Sequence, residues 1–238
     1  MMVRLAALIL LVFPADAAAQ QPSADSPRTL TVVGTGTVER EPERAVVMLA
    51  VESEAATARE ASQANAALME AVIAAVRDAG IPERDVRTVS YQIDPVYSRP
   101  PTGQGGTPEI GAYRAINMVQ VTVDELDRLG PVIDAAIGAG ANRVANLSFQ
   151  LRDYDSARRV ALEEAVTNAR TEAEAVAVAS DQQLGQPLSI STSTTRPYAF
   201  AAPAMDMMEA RVAASTPIET GSLTVTATVN IVYELVSR

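Results

Sequence analysis

The sequence predicts an α+β fold: a duplicated split β-α-β-β-α-β core with an additional long helix and flanking N- and C-terminal strands. Three observations predict it. The stretches Val86-Arg87-Thr88-Val89-Ser90-Tyr91-Gln92-Ile93 and Val144-Ala145-Asn146-Leu147-Ser148-Phe149-Gln150-Leu151 both fit V-x-x-[VL]-S-[YF]-Q-[IL]. Each follows a helical stretch that ends in Ala-Gly, at Ala79-Gly80 and Ala139-Gly140. Arg44–Arg152 therefore reads as one strand-helix-strand unit written twice and joined by a hairpin. Finally, Leu223, Val225, Ala227, Val229, Ile231, Tyr233 and Leu235 alternate with polar residues, the pattern of a strand with one buried face.

Taken in order, Leu30–Val38 predicts a strand interrupted at Gly34-Thr35-Gly36. The Gly-x-Gly pair is too short for a dinucleotide-binding loop and opens no helix, so a bulge or a close backbone approach in an edge strand is expected. Ala45–Val51 is a nearly unbroken apolar run, as in a strand buried on both faces. Thr57-Ala58-Arg59-Glu60 is a capping box. The helix after it carries Ala61, Leu68, Val72, Ala75 and Ala79 on one stripe, and Gly80 with Pro82 ends it. Val89, Tyr91 and Ile93 alternate in the next strand, the Pro- and Gly-rich stretch after Pro95 makes a long hairpin connection, and Ile116–Val123 returns. Asp124 is the expected cap of a second helix bearing Leu126, Leu129, Ile133 and Ile137. Asp153 or Asp155 caps the longest helix, expected to reach about Leu184. Its predicted face is Leu162, Val166, Ala169, Ala173, Val176 and Ser180. Leu188–Thr194 is a Ser/Thr-rich strand, and Arg196–Pro217 an irregular Pro-, Ala- and Met-rich excursion.

The first nineteen residues read as a secretory signal peptide: Arg4, then the apolar Leu5–Phe13, then Ala17-Ala18-Ala19 before Gln20. That apolar run is too short to span a bilayer, and no later run is long enough. Residues 20–29 form a polar leader. Removal of residues 1–19 takes away Arg4 and Asp16, +1 and −1, so the net charge stays at −10. An acidic exported chain is a poor ligand for phosphate backbones, and no nucleic-acid partner is expected.

Missing side chains exclude much chemistry. Cysteine, histidine and lysine are all absent. Disulfides, Ser-His-Asp triads, Cys-His dyads and the usual zinc and haem sites are therefore excluded. So are a Walker A lysine and a Schiff base. What remains is carboxylates, Arg, Ser/Thr and Tyr. Glu39, Glu41 and Glu43 surround Pro42. Glu163, Glu164, Glu172 and Glu174 sit among arginines on a helix, where solvated i,i+4 pairs are expected rather than a glycosidase acid pair. No catalytic or cofactor-binding residue stands out. The weak metal candidates are Met205, Met207 and Met208, whose thioethers suit Cu(I) or act as an oxidant sink. Asn146-Leu147-Ser148 matches a glycosylation pattern but falls inside a predicted strand.

The order of several short motifs resembles the SIMPL-domain family of exported bacterial proteins, which includes oxidative stress defence and periplasmic immunogenic proteins. The motifs are Val33-Gly34-Thr35-Gly36, Pro95-Val96-Tyr97, Gly111-Ala112-Tyr113-Arg114-Ala115, Gly138-Ala139-Gly140-Ala141-Asn142, Ser148-Phe149, Thr216-Pro217-Ile218 and Val229-Asn230-Ile231-Val232-Tyr233-Glu234-Leu235. One departure is visible: where the family's long helix ends in an Ala-Leu-Gly-like sequence, this chain has Ala179-Ser180-Asp181. The resemblance implies a SIMPL-like domain over residues 30–238, with the duplicated core at 44–152 and the long helix plus C-terminal strands at 153–238. It also implies a periplasmic or envelope location; some relatives form large ring- or channel-like oligomers, and some are tied to oxidative stress tolerance. It carries over no catalytic residue. The expected function is that of a non-catalytic envelope protein acting by self-assembly, as a homo-oligomer, or by binding envelope partners, with a stress-tolerance role and no cofactor. The alternatives are a carboxylate-dependent hydrolase and methionine-based copper or oxidant handling.

Overall fold

The computed structural model describes residues 28–98, 107–195 and 218–237. The elements run β1 (Thr29–Arg40), β2 (Arg44–Ala55), α1 (Ala58–Asp78), β3 (Val86–Ser98), β4 (Glu109–Val123), α2 (Leu129–Gly138), β5 (Arg143–Gln150), α3 (Tyr154–Ala179), β6 (Gln182–Thr195) and β7 (Leu223–Ser237). The fold is α+β, with two antiparallel sheets of order β3-β4-β2-β5 and β1-β7-β6.

The duplication governs the four-stranded sheet. The two echoing strands, β3 and β5, take its two edges, while β2 and β4 pair at the centre. The order reads the same from either edge when the two halves are exchanged. α1 and α2 lie together on one face and share one core: Met69, Val72 and Val76 of α1 meet Leu129, Val132 and Ile133 of α2 over Val47, Leu49 and Val121. Each fully buried Val or Leu contributes about 1.5–3 kcal/mol of transfer free energy. The helix ends repeat as well. Gly80 and Gly140 have φ of +92° and +118°, which glycine adopts without cost. The residues after them close matching bonds, Ile81 N–H to Val76 O at 3.3 Å and Ala141 N–H to Ala136 O at 2.9 Å.

The Thr57–Glu60 capping box forms as expected: the Thr57 hydroxyl oxygen accepts from Glu60 N–H, and the Glu60 carboxylate accepts from Thr57 N–H. The buried stripe of α1 keeps the expected Ala61 and Val72 but otherwise differs: it is Ala61, Asn65, Met69, Val72 and Val76, with Leu68 38% exposed. The polar member decides the rotation. Asn65 is fully buried, and its Nδ2 donates to Val51 O at 2.8 Å and Ala115 O at 3.0 Å, tying α1 to both central strands. Asp124 does not cap α2. A 3₁₀ turn at Leu126–Arg128 intervenes, and Asp124 instead accepts a salt bridge from Arg44 at 3.0 Å.

α3 packs on the second sheet. Its cap is Asp153, which accepts from Ser156 N–H at 2.9 Å. The helix ends at Ala179, earlier than expected, and Asp181 takes φ +54° before β6 begins. Its buried face is the expected one only in part, at Ala169 and Ala173. It is a row of alanines at every fourth position, Ala157 through Ala177, while Val166 and Val176 point toward solvent. The reason is distance. A Cβ on Gly34 would lie 2.0 Å from Ala165 O, and one on Gly36 would lie 2.0 Å from Ala161 O. The Gly-x-Gly pair thus marks the close backbone approach expected of it. Neither a bulge nor an interruption is found there, since β1 runs unbroken from Thr29 to Arg40 and keeps its register with β7. A helix this close to a strand has room for methyl groups alone. With α3 on the β1-β7-β6 sheet, none of the three helices covers the outer face of the four-stranded sheet.

Candidate interaction surface

Three of the seven carboxylates singled out in the sequence, Glu43, Glu164 and Glu174, are engaged in structural contacts. Glu43 accepts from Arg152 N–H at 2.8 Å. Glu174 pairs with Arg170 at 2.8 Å, and its hydrogen bond and negative charge raise the Arg170 pKa further above its ordinary value. Glu164 accepts from Thr37 N–H at 2.9 Å. Among the described residues no group of three or more Asp or Glu side chains is placed to hold a metal ion. Met205, Met207 and Met208, and the residues through Pro27 expected to form the signal peptide and most of the leader, lie outside the described residues. Asn146 is in β5, as the sequence reading had it.

Each sheet is bordered by a concavity among the described residues. On the outer face of the four-stranded sheet, Arg44, Arg84 and Arg87 ring a hollow of about 400 Å³ floored by Val46 and Met48. Its arginines already have partners: Arg44 meets Asp124, and Arg87 donates to Gln120 Oε1 at 2.9 Å. Beside β6, a groove of about 600 Å³ runs between α3 and the sheet, lined by Val166, Leu184, Pro187, Ile190, Ile231 and Tyr233. It exists because α3 leans toward β1 and leaves the β6 side uncovered, so Ile190 is 58% exposed and Leu188 51%.

The four strand edges are treated differently by the sequence. Unpaired backbone groups on an edge invite another strand, and proteins blunt them with charge, proline, brevity or cover. β3 carries Arg87, Asp94 and Pro95. β5 has eight residues and begins at Arg143. β1 is covered near its middle: besides the Glu164 contact at Thr37, its Thr35 O accepts from Asn168 Nδ2 at 2.8 Å, so side chains of α3 already pair two of its backbone groups. β6 has fourteen residues and none is charged. Pro187 and two irregularities disturb its first half, but from Ser189 to Thr195 it keeps regular register with β7. Among the described residues its outer side meets no further strand, and the one side-chain bond to it, Arg158 Nε to Thr194 Oγ1 at 3.3 Å, leaves its backbone free.

The model of the SIMPL family, described as a protein of unknown function (DUF541), matches residues 30–233 of this chain. The chain belongs to the SIMPL family. Among SIMPL relatives, the 26 kDa periplasmic immunogenic protein of Brucella melitensis is 30% identical over 213 residues, which cover 88% of this chain and 85% of the relative. The uncharacterized protein YggE of Escherichia coli is 27% identical over 169 residues, 70% of this chain and 65% of that protein. Among the described residues of this SIMPL chain, no helix is long and apolar enough to cross a membrane.

The sequence reading missed the β6 edge as a surface. Its signal was present, fourteen consecutive uncharged residues, but it gained meaning only once β6 was seen at an edge and β1 was seen to be covered.

Proposed function

We propose that this protein is an exported, non-catalytic protein of the periplasm that works by self-assembly or by binding envelope partners. Oxidative or envelope stress tolerance is the role the family resemblance implies. The observation that carries the reading is the uncharged edge of β6, which meets no further strand among the described residues, beside a groove where Ile190 and Val166 are exposed, in a chain of net charge −10. Solvent-exposed apolar groups beside an open strand edge favour a partner over bare water. Location is supported by the name of the Brucella relative and by the Arg4, Leu5–Phe13 and Ala17–Ala19 pattern at the start of the chain. The non-catalytic part is supported by the absence of His, Cys and Lys and by the structural engagement of Glu43, Glu164 and Glu174.

The test is size-exclusion chromatography with light scattering on the chain purified from the periplasm. The expected mass is a multiple of one chain. A monomer at high concentration that also captures no envelope protein contradicts the reading.

A further inference from the structure

We propose that the edge of β6 at Ile190–Thr194 binds an extended segment of another exported polypeptide as an added antiparallel strand. That segment alternates apolar with small polar residues and carries a basic residue at its C-terminal end. The proposal rests on the partner-binding half of the reading above and gives that partner its chemistry.

The register shows which backbone groups β6 offers. In an antiparallel ladder each residue turns both its N–H and its C=O toward one neighbour. Thr37 N–H and Thr35 O bond side chains of α3, so these residues turn away from β7. Their partners Thr226 and Thr228 therefore turn toward β6, and Ser193 and Ser191, opposite Thr228 and Asn230, turn back toward β7. The alternate residues Ile190, Thr192 and Thr194 are left with N–H and C=O pointing outward. An extended peptide supplies acceptors and donors at that spacing, and main-chain bonds of this kind are how open sheet edges take up partners. Residues directly opposite in an antiparallel pair share a face. Ile190 and Thr192 pair with the buried Ile231 and Val229, so their face is the α3 side. There every second side chain of the added strand meets the groove of Val166, Pro187 and Tyr233, where Ile190 is 58% exposed. The side chains between them fall beside the hydroxyls of Ser191 and Ser193 on the opposite face, which fixes the alternation.

Charge fixes the end of the segment. Beside the groove Arg170 is paired with Glu174, whereas Glu234 has no ion-pair partner among the described residues, in a chain of net charge −10. An antiparallel segment runs its C-terminal end past Ile190 toward Pro187 and Glu234, so a basic residue is favoured there. A second copy of β6 matches the site less well: it brings hydroxyls at Thr192 and Thr194 and a further charge of −10.

The probe is a short fluorescein-labelled peptide with valine at alternate positions, serine or threonine between them and a C-terminal arginine. Its anisotropy is followed on titration with the chain at concentrations where the chain is dispersed, since assembly through β6 would occupy the same edge. Two control peptides are used, one with the same residues but contiguous valines and one with glutamate in place of the arginine. The alternating peptide is expected to bind, and each control to bind more weakly. Thr192→Pro removes an outward N–H and leaves the bonds to β7, a change an edge strand tolerates. Ile190→Ser removes apolar surface at the groove. Each variant should weaken the alternating peptide about tenfold, with an unchanged circular dichroism spectrum.

No binding of the alternating peptide, equal binding of that peptide and either control, or undiminished binding to either folded variant overturns the proposal. A chain that binds no such peptide yet assembles or captures an envelope protein leaves the reading above standing. One that also stays monomeric and captures nothing contradicts that reading as well.

Discussion

Gly36→Ala puts a methyl group where α3 lies. Its Cβ would sit 2.0 Å from Ala161 O, 2.6 Å from Ala165 N and 2.9 Å from Glu164 Cβ. The nearest of these is backbone, so no rotamer change relieves it, and the helix must retreat by about 1.4 Å to reach ordinary contact. Overpacking of this kind costs about 1–3 kcal/mol. A gap of about 1 Å along the rest of the alanine row forfeits a quarter to a half of its dispersion contact. The retreat also stretches the bonds from Thr37 N–H to Glu164 and from Asn168 to Thr35 O, worth roughly 0.5–3 kcal/mol together when discounted for exposure. Against this, alanine stabilises by about 0.4–1 kcal/mol through the unfolded chain. The net loss is about 3 kcal/mol, which for a chain of this size lowers Tm by roughly 6–12 °C. Thermal denaturation followed by circular dichroism reads it. Gly138→Ala is the control: nothing lies within 4 Å of its added Cβ, so Tm should hold or rise. Ala161→Gly should not rescue Gly36→Ala, because the clash is with a carbonyl oxygen rather than a side chain. A Gly36→Ala protein that melts with the wild type would refute the close helix–strand contact.

Other outcomes follow from single contacts. Asn65→Leu leaves Val51 O and Ala115 O without their buried donor and should cost about 2–4 kcal/mol, read as a lower urea midpoint at unchanged slope. Asp181→Gly relieves a non-glycine residue held at φ +54° and should stabilise by about 1 kcal/mol in the same titration. The double change Glu164→Ala with Asn168→Ala uncovers the β1 edge. Light scattering should then show masses larger than those of the unchanged chain and growing with concentration.

The duplicated core was legible in the sequence because two kinds of evidence agreed there. The strand echo at Val86 and Val144 and the Ala-Gly helix ends both report local geometry, and local geometry is what a repeat preserves. The faces of α1 and α3 were misread for a common reason. Periodicity arguments look for large apolar residues, whereas α1 turns Asn65 inward to satisfy strand carbonyls, and α3 buries alanines because Gly34 and Gly36 bring β1 too close for anything larger. The two signals for α3, a Gly-x-Gly strand and an alanine every fourth residue, lie about 120 residues apart. Each is ordinary alone, and only the pairing of β1 beneath α3 joins them. The candidate surface was harder still. An uncharged Ser/Thr strand reads as one more sheet strand until its neighbours are known.

Hydrogen exchange at two protein concentrations tests the central claim most directly. The claim is that the chain acts through assembly or partner binding at β6, while α3 holds the Thr35–Thr37 stretch of β1. Deuterium uptake would be followed by mass spectrometry in peptides spanning 188–195 and 29–38, at a concentration where the protein is dispersed and at one where it is assembled. The account predicts that uptake in 188–195 falls on assembly, as its outer amides gain partners, and that uptake in 29–38 does not change. Equal uptake in 188–195 at both concentrations, with protection gained instead along β1 or the outer face of the four-stranded sheet, would contradict it.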